Sequence, residues 1–197
     1  MSRTYAALPS SGIGAGVGFH KPAAAEIRPV GMDDPATLVM TDFKQVRALT
    51  IQATTSMQNA LNKMIANGVR MLLVVDVHNA IVGLITSTDI AGEKPVRVVQ
   101  ERRISREELL VGDVMTPRDK LEAVNVSDLT AARVGHVVMT LQAVGRRHAL
   151  VIETEANGSQ NLRGLISATQ VEKQLGTSID TPEIARNFAQ VGELLTR

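Results

Sequence analysis

The sequence predicts a mixed α/β fold of the α+β kind, made of two similar halves. Continuous apolar runs typical of buried strands alternate with stretches whose apolar residues recur at helical spacing. The same blocks then return in the same order at offsets of 75, 77 and 81 residues, which indicates a tandem duplication. With 197 residues, 44% of them apolar, the chain is long enough to bury a core.

The composition excludes several classes of function. Lys and Arg total 21 against 20 acidic residues, and aromatic residues are 2%, so neither net charge nor base stacking favours nucleic acid. Without cysteine the chain has no disulfide and no thiolate metal site. No apolar run approaches a membrane span, and no apolar leader follows Arg3. We expect a cytoplasmic protein with neither nucleic-acid nor membrane partners.

Residues 1–37 are expected to form an extended N-terminal arm. Several prolines punctuate this segment, and glycine alternates with small residues from Gly12 to Gly18. The glycine tract has neither the Gly-x-Gly-x-x-Gly spacing nor the Gly-Lys-Ser/Thr ending of phosphate loops, and no strand precedes it. The segment is therefore interpreted as an arm that is flexible or drapes over the domain.

Residues 38–111 are expected to contain the first copy of the repeat and a charged connector. Ser56 suits an N-cap, and Gly68 a helix stop, around apolar residues at helical spacing. In the connector, glutamates interleave with arginines, which favours a solvated surface over an anion-binding patch. The expected β-α-β-β-α order comprises a strand over residues 46–51, a helix between Ser56 and Gly68, strands over residues 71–75 and 81–85, and a helix from Ser87.

Residues 112–176 are expected to form the second copy, because three blocks match the first. Since one copy alone leaves its sheet half covered, the two copies should pack against each other. The matched blocks are Val39-Met40-Thr41 with Val114-Met115-Thr116, Gly68 to Asp76 with Gly145 to Glu153, and Gly83-Leu84-Ile85 with Gly164-Leu165-Ile166.

Residues 177–197 are expected to form a separate amphipathic helix. Thr181 suits the N-cap, Pro182 the first helical position and Glu183 the first turn. The stripe that follows either docks on its own domain or contacts a second copy or another partner. Its apolar members are Ile184, Phe188, Val191 and Leu195.

The strand-to-helix junction from Gly83 to Asp89 is the candidate binding site. Thr86 and Asp89 lie three residues apart on one helical face, beside backbone N–H groups that suit a phosphate. A carboxylate also accepts two hydrogen bonds from a ribose diol. By spacing alone the same pair is an ordinary helix cap, so both interpretations stand at this point. Much of the pattern returns from Gly164 to Gln170.

With these motifs in order and repeated, residues 38–175 resemble a tandem pair of CBS domains, a Bateman module. The resemblance rests on the opening Val-Met-Thr, the strand ending in Val75-Asp76, and the junction from Gly83 to Asp89. It implies a disc of two pseudo-symmetric β-α-β-β-α motifs with two clefts for adenosine-containing ligands such as AMP, ADP, ATP or S-adenosylmethionine. It also implies a homodimer of two discs.

The resemblance assigns roles to residues of the first copy by position. It implies that Asp89 binds the ribose hydroxyls and that Thr86, next to Ser87, meets the phosphate. Arg70 matches a position whose charge neutralises that phosphate, and Arg147 is its counterpart in the second copy. The residues implied to sandwich the adenine are Ile51, Met71, Val126 and Ala149.

The second copy departs from this pattern. Ser167 keeps the hydroxyl, but Gln170 stands where the ribose-binding Asp is expected. A neutral amide accepts hydrogen bonds from a diol more weakly than a carboxylate, by about 1 kcal/mol. We therefore expect a main site at Asp89 and a weaker second site at Ser167 and Gln170. The basic set available instead to the first ligand's phosphates is Arg146, Arg147 and His148.

These features predict a regulatory protein and not an enzyme. The sequence shows no nucleophile–base pair, no carboxylate dyad and no metal-ligand spacing, so we expect no catalysis, no metal and no required cofactor. The predicted role is energy sensing, in which AMP, ADP or ATP binds between the copies and an effector protein reads the resulting shift. The alternative is a scaffold that mediates homodimerisation or partner binding and binds no ligand.

Overall fold

The computed structural model describes residues 12, 15, 17, 27–145 and 147–179, which form two four-stranded sheets flanked by helices. This confirms the predicted α+β fold. The strands are β1 (Met40–Asp42), β2 (Thr50–Gln52), β3 (Met71–Val75), β4 (Ile81–Thr86), β5 (Thr116–Pro117), β6 (Ala123–Asn125), β7 (His148–Thr154) and β8 (Gln160–Ser167). The α-helices are α1 (Met57–Ala66), α2 (Ser87–Ala91), α3 (Glu93–Arg102), α4 (Val111–Val114), α5 (Val126–Ala131), α6 (Val134–Val144) and α7 (Ala168–Leu175). Short 3-10 helices cover Ala36–Val39, Arg106–Glu108 and Arg118–Lys120.

Each sheet contains strands from both copies. One sheet has the order β2-β3-β4-β5 and the other the order β1-β8-β7-β6. β1 of the first copy pairs antiparallel with β8 of the second, and β5, which opens the second copy, pairs antiparallel with β4 of the first. The copies thus exchange their first strands, so backbone hydrogen bonds join them. The sequence predicted that the copies pack together, but it did not predict this exchange.

The two copies correspond element by element, with β1, β2, α1, β3, β4 and α2 equivalent to β5, β6, α6, β7, β8 and α7. Each copy has one strand more than the predicted order, because the exchanged first strand begins within its Val-Met-Thr block. The strand predicted over residues 46–51 is instead Thr50–Gln52, and the second copy inserts α5 before α6.

The equivalent helices α1 and α6 end as the sequence indicates. The Ser56 hydroxyl oxygen accepts a hydrogen bond from the Asn59 N–H at 3.2 Å and caps α1. Gly68 and Gly145 adopt φ values of +63° and +66°, the left-handed conformation that follows many helices. β3, which comes next in the first copy, is buried along its whole length, as its unbroken apolar run predicts.

An apolar cluster joins the two sheets. Met71, Leu73 and Leu84 of the first copy pack with Leu150 of the second copy, and all four side chains are buried. Each copy also has a larger core of its own between its sheet and its helices. The joining cluster therefore fixes the ends of β3 and β7 next to each other.

An ion pair holds the exchanged strand β1 on the second copy's sheet. Arg163 on β8 donates to both carboxylate oxygens of Asp42, at 2.9 and 2.7 Å. These hydrogen bonds, with one from the Lys44 N–H, lower the pKa of Asp42 from 3.8 to about 2. The bidentate pair therefore stays charged near neutral pH and adds side-chain contacts to the backbone pairing of β1.

Glycine is required where the exchanged strands cross. A Cβ atom at Gly83 would lie 2.7 Å from the carbonyl oxygen of Thr116, and one at Gly164 would lie 2.5 Å from that of Thr41. Both distances are too short for a real contact with backbone. The strand exchange is thus the physical reason that each Gly-Leu-Ile block begins with glycine.

The described end of the predicted N-terminal arm docks on the second copy. The Val30 N–H donates to the carbonyl oxygen of Gln174 at 3.0 Å, and the Gly135 N–H donates to that of Met32 at 2.8 Å. Most of residues 1–26 of the arm, and residues 180–197 with most of the predicted C-terminal helix, lie outside the described residues. Among the helices that are described, none is both long and apolar enough to cross a membrane.

Candidate functional site

A cleft of about 600 Å³ lies between the two copies. The first copy contributes β1, the loop between β1 and β2, and the segment that enters β3. The second copy contributes the start of β7 and the junction of β8 with α7. The volume is in the range of small-molecule sites. A molecule bound here contacts both copies.

Apolar side chains cover much of the wall that the first copy supplies. Val46 is 48% exposed, which is a large fraction for a valine, whereas Met71 is almost completely buried. An apolar wall of this kind suits a flat, weakly polar group such as a nucleobase. Its members include Phe43, Val46, Leu49, Val69, Met71 and Leu73.

Basic side chains from three segments line the same cleft. Arg47 lies in the loop before β2, Arg70 lies just before β3, and Lys173 lies on α7. Each is exposed, and no hydrogen bond or ion pair joins any of the three side chains to another described residue. The described lining contains no Asp or Glu. The cleft therefore has uncompensated positive charge, which favours an anionic ligand.

The junction of β8 with α7 offers polar groups to the cleft. Ser167 is the N-cap residue of α7, yet its side chain makes no capping hydrogen bond. Gln170, in the first turn of α7, also lines the cleft, as does Thr169, whose hydroxyl oxygen accepts a hydrogen bond from Arg147. Hydroxyl, amide and first-turn N–H groups are suitable partners for sugar hydroxyls or a phosphate.

The equivalent junction of the first copy is closed by a capping box. The Thr86 hydroxyl oxygen accepts from the Asp89 N–H at 3.1 Å, while Asp89 Oδ2 accepts from the Thr86 N–H at 2.9 Å and from the Thr86 hydroxyl at 2.7 Å. Asp89 Oδ1 accepts from Lys94 Nζ at 2.5 Å. Neither Thr86 nor Asp89 lines the large cleft. The pair forms an ordinary cap, and the ribose-binding role of Asp89 stays a prediction.

Arg147 is occupied by an ion pair that Arg70 lacks. Arg147 donates to both oxygens of Glu172, at 3.1 and 2.7 Å, and to the Thr169 hydroxyl oxygen at 3.1 Å. Burial raises the pKa of Glu172, but the hydrogen bonds from Arg147 and the Ile179 N–H, with the charges of Arg147 and Arg70, together outweigh it, so this pKa lies below its ordinary value. The residue equivalent to Glu172 in the first copy is Ala91. Of the two arginines, Arg70 is therefore the one available to a ligand.

His148 lies between the large cleft and a second cavity of about 200 Å³. Burial and the nearby charges of Arg147 and Arg70 lower the pKa of His148 from 6.5 to about 4, although Asp89 opposes this shift. The imidazole is therefore neutral near pH 7. The phosphate-binding charge that the sequence suggested for His148 would exist only under acidic conditions.

The cleft thus combines residues from both of the sites that the sequence predicted. Val124, and not Val126, occupies the position of Ile51, because Val124 pairs with Val151 as Ile51 pairs with Val74. The predicted residues that line the cleft are Arg70, Met71, His148, Ser167 and Gln170.

The other predicted site residues lie elsewhere. Ile51 is buried in the core of the first copy, and Val126 begins α5 and packs on the core of the second. Ala149 lines two smaller cavities, of about 200 and 170 Å³. Ser87 begins α2, where its N–H donates to the Arg70 carbonyl oxygen at 2.9 Å. Arg146 is outside the described residues.

Sequence reasoning missed the loop between β1 and β2 and one residue of α7. Phe43, Val46 and Arg47 line the cleft because β1 joins the other sheet, so the chain crosses between the copies before it enters β2. No local pattern signals that crossing. A signal did exist for Lys173, which follows Gln170 by three residues and so shares its helical face.

Comparisons with known proteins agree with this architecture. Residues 38–95 match the family model of the CBS domain. An uncharacterized conserved protein from Pyrococcus horikoshii is similar in structure, with a TM-score of 0.54, 22% identity, and coverage of 77% of this chain and 99% of that chain. CBSX2 from Arabidopsis thaliana, crystallised in complex with AMP, has a TM-score of 0.50 and 20% identity, with coverage of 72% and 94%. No curated protein matches the sequence.

A further solved structure, of a CBS-domain containing protein from Agrobacterium tumefaciens, has a TM-score of 0.50 and 19% identity, with coverage of 67% of this chain and 88% of that chain. The chain shares with these structures a fold of two strand-and-helix units, which here exchange their first strands and enclose a cleft. Residues 38–95 match the CBS-domain family model, and the second copy repeats the fold of the first, so the chain is similar to tandem CBS-domain proteins.

Proposed function

We propose that this protein is a regulatory module that binds an adenine nucleotide in the large cleft between its two copies. The cleft itself carries the proposal, because it combines an apolar wall, hydroxyl and amide groups, and basic side chains with no acidic residue in its described lining. These are the partners that a base, a sugar and a phosphate require. The AMP complex of the similar protein CBSX2 supports this ligand class.

The proposed binding mode places the nucleotide at α7 rather than at Asp89. Arg70 binds the phosphate, since no other described group pairs with its guanidinium. Ser167 and Gln170 bind the sugar, and the base packs on the apolar wall around Met71. A second nucleotide at Asp89 would share a carboxylate that already accepts three hydrogen bonds.

Ligand binding is proposed to act on a partner protein through the arrangement of the two copies. Because the cleft is lined by both, the nucleotide stabilises one relative orientation, by no more than its difference in affinity for the two states.

We also propose that the module forms a homodimer. Ile65 on α1 and Met139 on the equivalent helix α6 are 70% and 64% exposed, and both are large apolar side chains.

Isothermal titration calorimetry on the full chain with AMP, ADP, ATP and NAD tests the proposal. We expect at least one of them to bind, and Arg70→Gln to weaken that binding about tenfold or more, because charged hydrogen bonds contribute roughly 1.5–3 kcal/mol. Arg97→Gln is the matched control, since Arg97 is an exposed arginine on α3 outside the lining of the cleft.

Two results would count against this function. If no nucleotide releases or absorbs heat and none raises the melting temperature, the scaffold alternative is favoured. If Arg97→Gln weakens binding as much as Arg70→Gln does, the interaction is a general charge effect and not recognition in the cleft.

A further inference from the structure

At the α7 end of the cleft, a neutral amide and a lysine stand where a carboxylate would bind a sugar, and this indicates which kind of nucleotide fits. Gln170 lies where the first copy has Asp89, and Lys173 follows one turn later on the same helical face. A free ribose diol is bound best by a carboxylate, which accepts hydrogen bonds from both hydroxyls. No carboxylate is present for that purpose in the part of the lining that the structure describes.

The amide of Gln170 and the ammonium group of Lys173 suit a phosphate on the sugar better than a free hydroxyl. An amide donates hydrogen bonds to a phosphate, whereas a carboxylate at the same position would repel it. The two Cα atoms are about 4.5 Å apart along the helix axis, so a group bound to the amide is within reach of the lysine. Glu172, the acidic neighbour of Lys173, is already paired with Arg147.

The positive charge at Lys173 is supplied separately from that at Arg70. Arg70 precedes β3 in the first copy, and Lys173 lies on α7 in the second. The two cations therefore come from different copies and line the same cleft. Resting on the function proposed above, we propose that the ligand is an adenine nucleotide with two separate phosphates: a 5′-phosphate at Arg70, and a second on the 2′ or 3′ oxygen of the ribose at Gln170 and Lys173.

Calorimetric titration of the full chain with four compounds tests this inference. They are adenosine 5′-monophosphate, adenosine 2′,5′-bisphosphate, adenosine 3′,5′-bisphosphate and ADP. One bisphosphate should bind about tenfold or more tightly than the monophosphate, because it gains a charged hydrogen bond. The preferred isomer shows which ribose oxygen carries the phosphate. ADP carries its added charge on the 5′ side, so its affinity should exceed that of the monophosphate by a smaller factor.

Two variants test whether residues of α7 cause the tighter binding of the bisphosphate. Lys173→Gln should remove most of the preference for the bisphosphate over the monophosphate. Gln170→Asp should reverse the preference, because the new carboxylate accepts a diol and repels a phosphate. Arg97→Gln on α3 should keep the wild-type preference, since it lies outside the cleft lining.

The outcomes separate this inference from the function on which it rests. If the monophosphate binds and neither bisphosphate binds more tightly, or if the preference survives in Lys173→Gln, this inference is overturned and the nucleotide site stands. If ADP gains as much as either bisphosphate, the second charge lies on the 5′ side and the inference is also overturned. If none of the four compounds binds, the proposed function fails and this inference fails with it.

Discussion

His148 shows how position alone can change the chemistry of a residue. Its equivalent in the first copy is Met71, an apolar residue that is almost completely buried. His148 is partly buried beside two arginines, so the protein stabilises its neutral form. The imidazole contributes one donor and one acceptor to the boundary between two cavities, and near neutral pH it adds no charge.

The lowered pKa of His148 predicts an acid-sensitive fold. In the unfolded chain this group binds a proton near pH 6.5, whereas in the folded protein it does so only near pH 4. Between these values the unfolded state binds more protons, so the free energy of unfolding falls as the pH falls through this window. The total loss is about 3 kcal/mol. Urea unfolding at several pH values across the window measures it.

His148→Met is the control, because it installs the residue that the first copy has at this position. The variant should have a flatter dependence of stability on pH between 6.5 and 4. Glu172 and Glu153, whose pKa values are also lowered, contribute equally in both proteins and act mainly below 4.5. Identical slopes for the variant and the wild type would show that His148 does not cause the effect.

Substitution of Asp89 tests which strand-to-helix junction binds the nucleotide, that of β4 with α2 or that of β8 with α7. Asp89→Asn keeps the size of the side chain but weakens the capping box and the Lys94 ion pair. We expect a loss of about 1–2 kcal/mol in the free energy of unfolding, because the cap of α2 is impaired. Nucleotide affinity should change little if the ligand occupies the α7 junction. A large loss of affinity in calorimetry, with little change in stability, would place the nucleotide at Asp89 instead.

At the scale of the elements, the sequence predicted those helices and strands that leave a local pattern of residues. The helix between Ser56 and Gly68, the buried strand β3 and the repeated junctions follow from capping residues, glycine and apolar periodicity. The exchange of β1 and β5 could not be predicted in this way, because strand pairing between distant segments leaves no local pattern. The main site was therefore expected at Asp89, although the cleft between the copies is lined by Ser167 and Gln170.

Because of the strand exchange, substitution of Gly164 should destabilise the fold. In Gly164→Ala the new methyl group would overlap the carbonyl oxygen of Thr41, 2.5 Å away, and the paired strands would have to separate. We expect a loss of about 1–3 kcal/mol in the free energy of unfolding, the usual range for overpacking. Gly31→Ala is the control, since its methyl group meets only an ordinary contact at 3.9 Å. Equal urea midpoints for the two variants would contradict the predicted overlap.

At the scale of the whole molecule, the exchange makes the two copies interdependent. Each sheet loses an edge strand if the other copy unfolds, and the apolar cluster of Met71, Leu73, Leu84 and Leu150 is shared between the copies. A ligand in the cleft contacts both copies as well. Folding and ligand binding should therefore involve both halves together rather than one half at a time.

This interdependence predicts a single thermal transition that a nucleotide shifts as a whole. At a ligand concentration about 100 times Kd, binding adds about 2.7 kcal/mol to the free energy of unfolding. For a chain of this size that corresponds to a rise of roughly 5–10 °C in Tm. Differential scanning calorimetry with and without nucleotide measures the shift, and Arg70→Gln at the same ligand concentration should show a smaller one. Two separate transitions, of which only one moves with ligand, would show that the copies unfold independently and that the nucleotide contacts one of them alone.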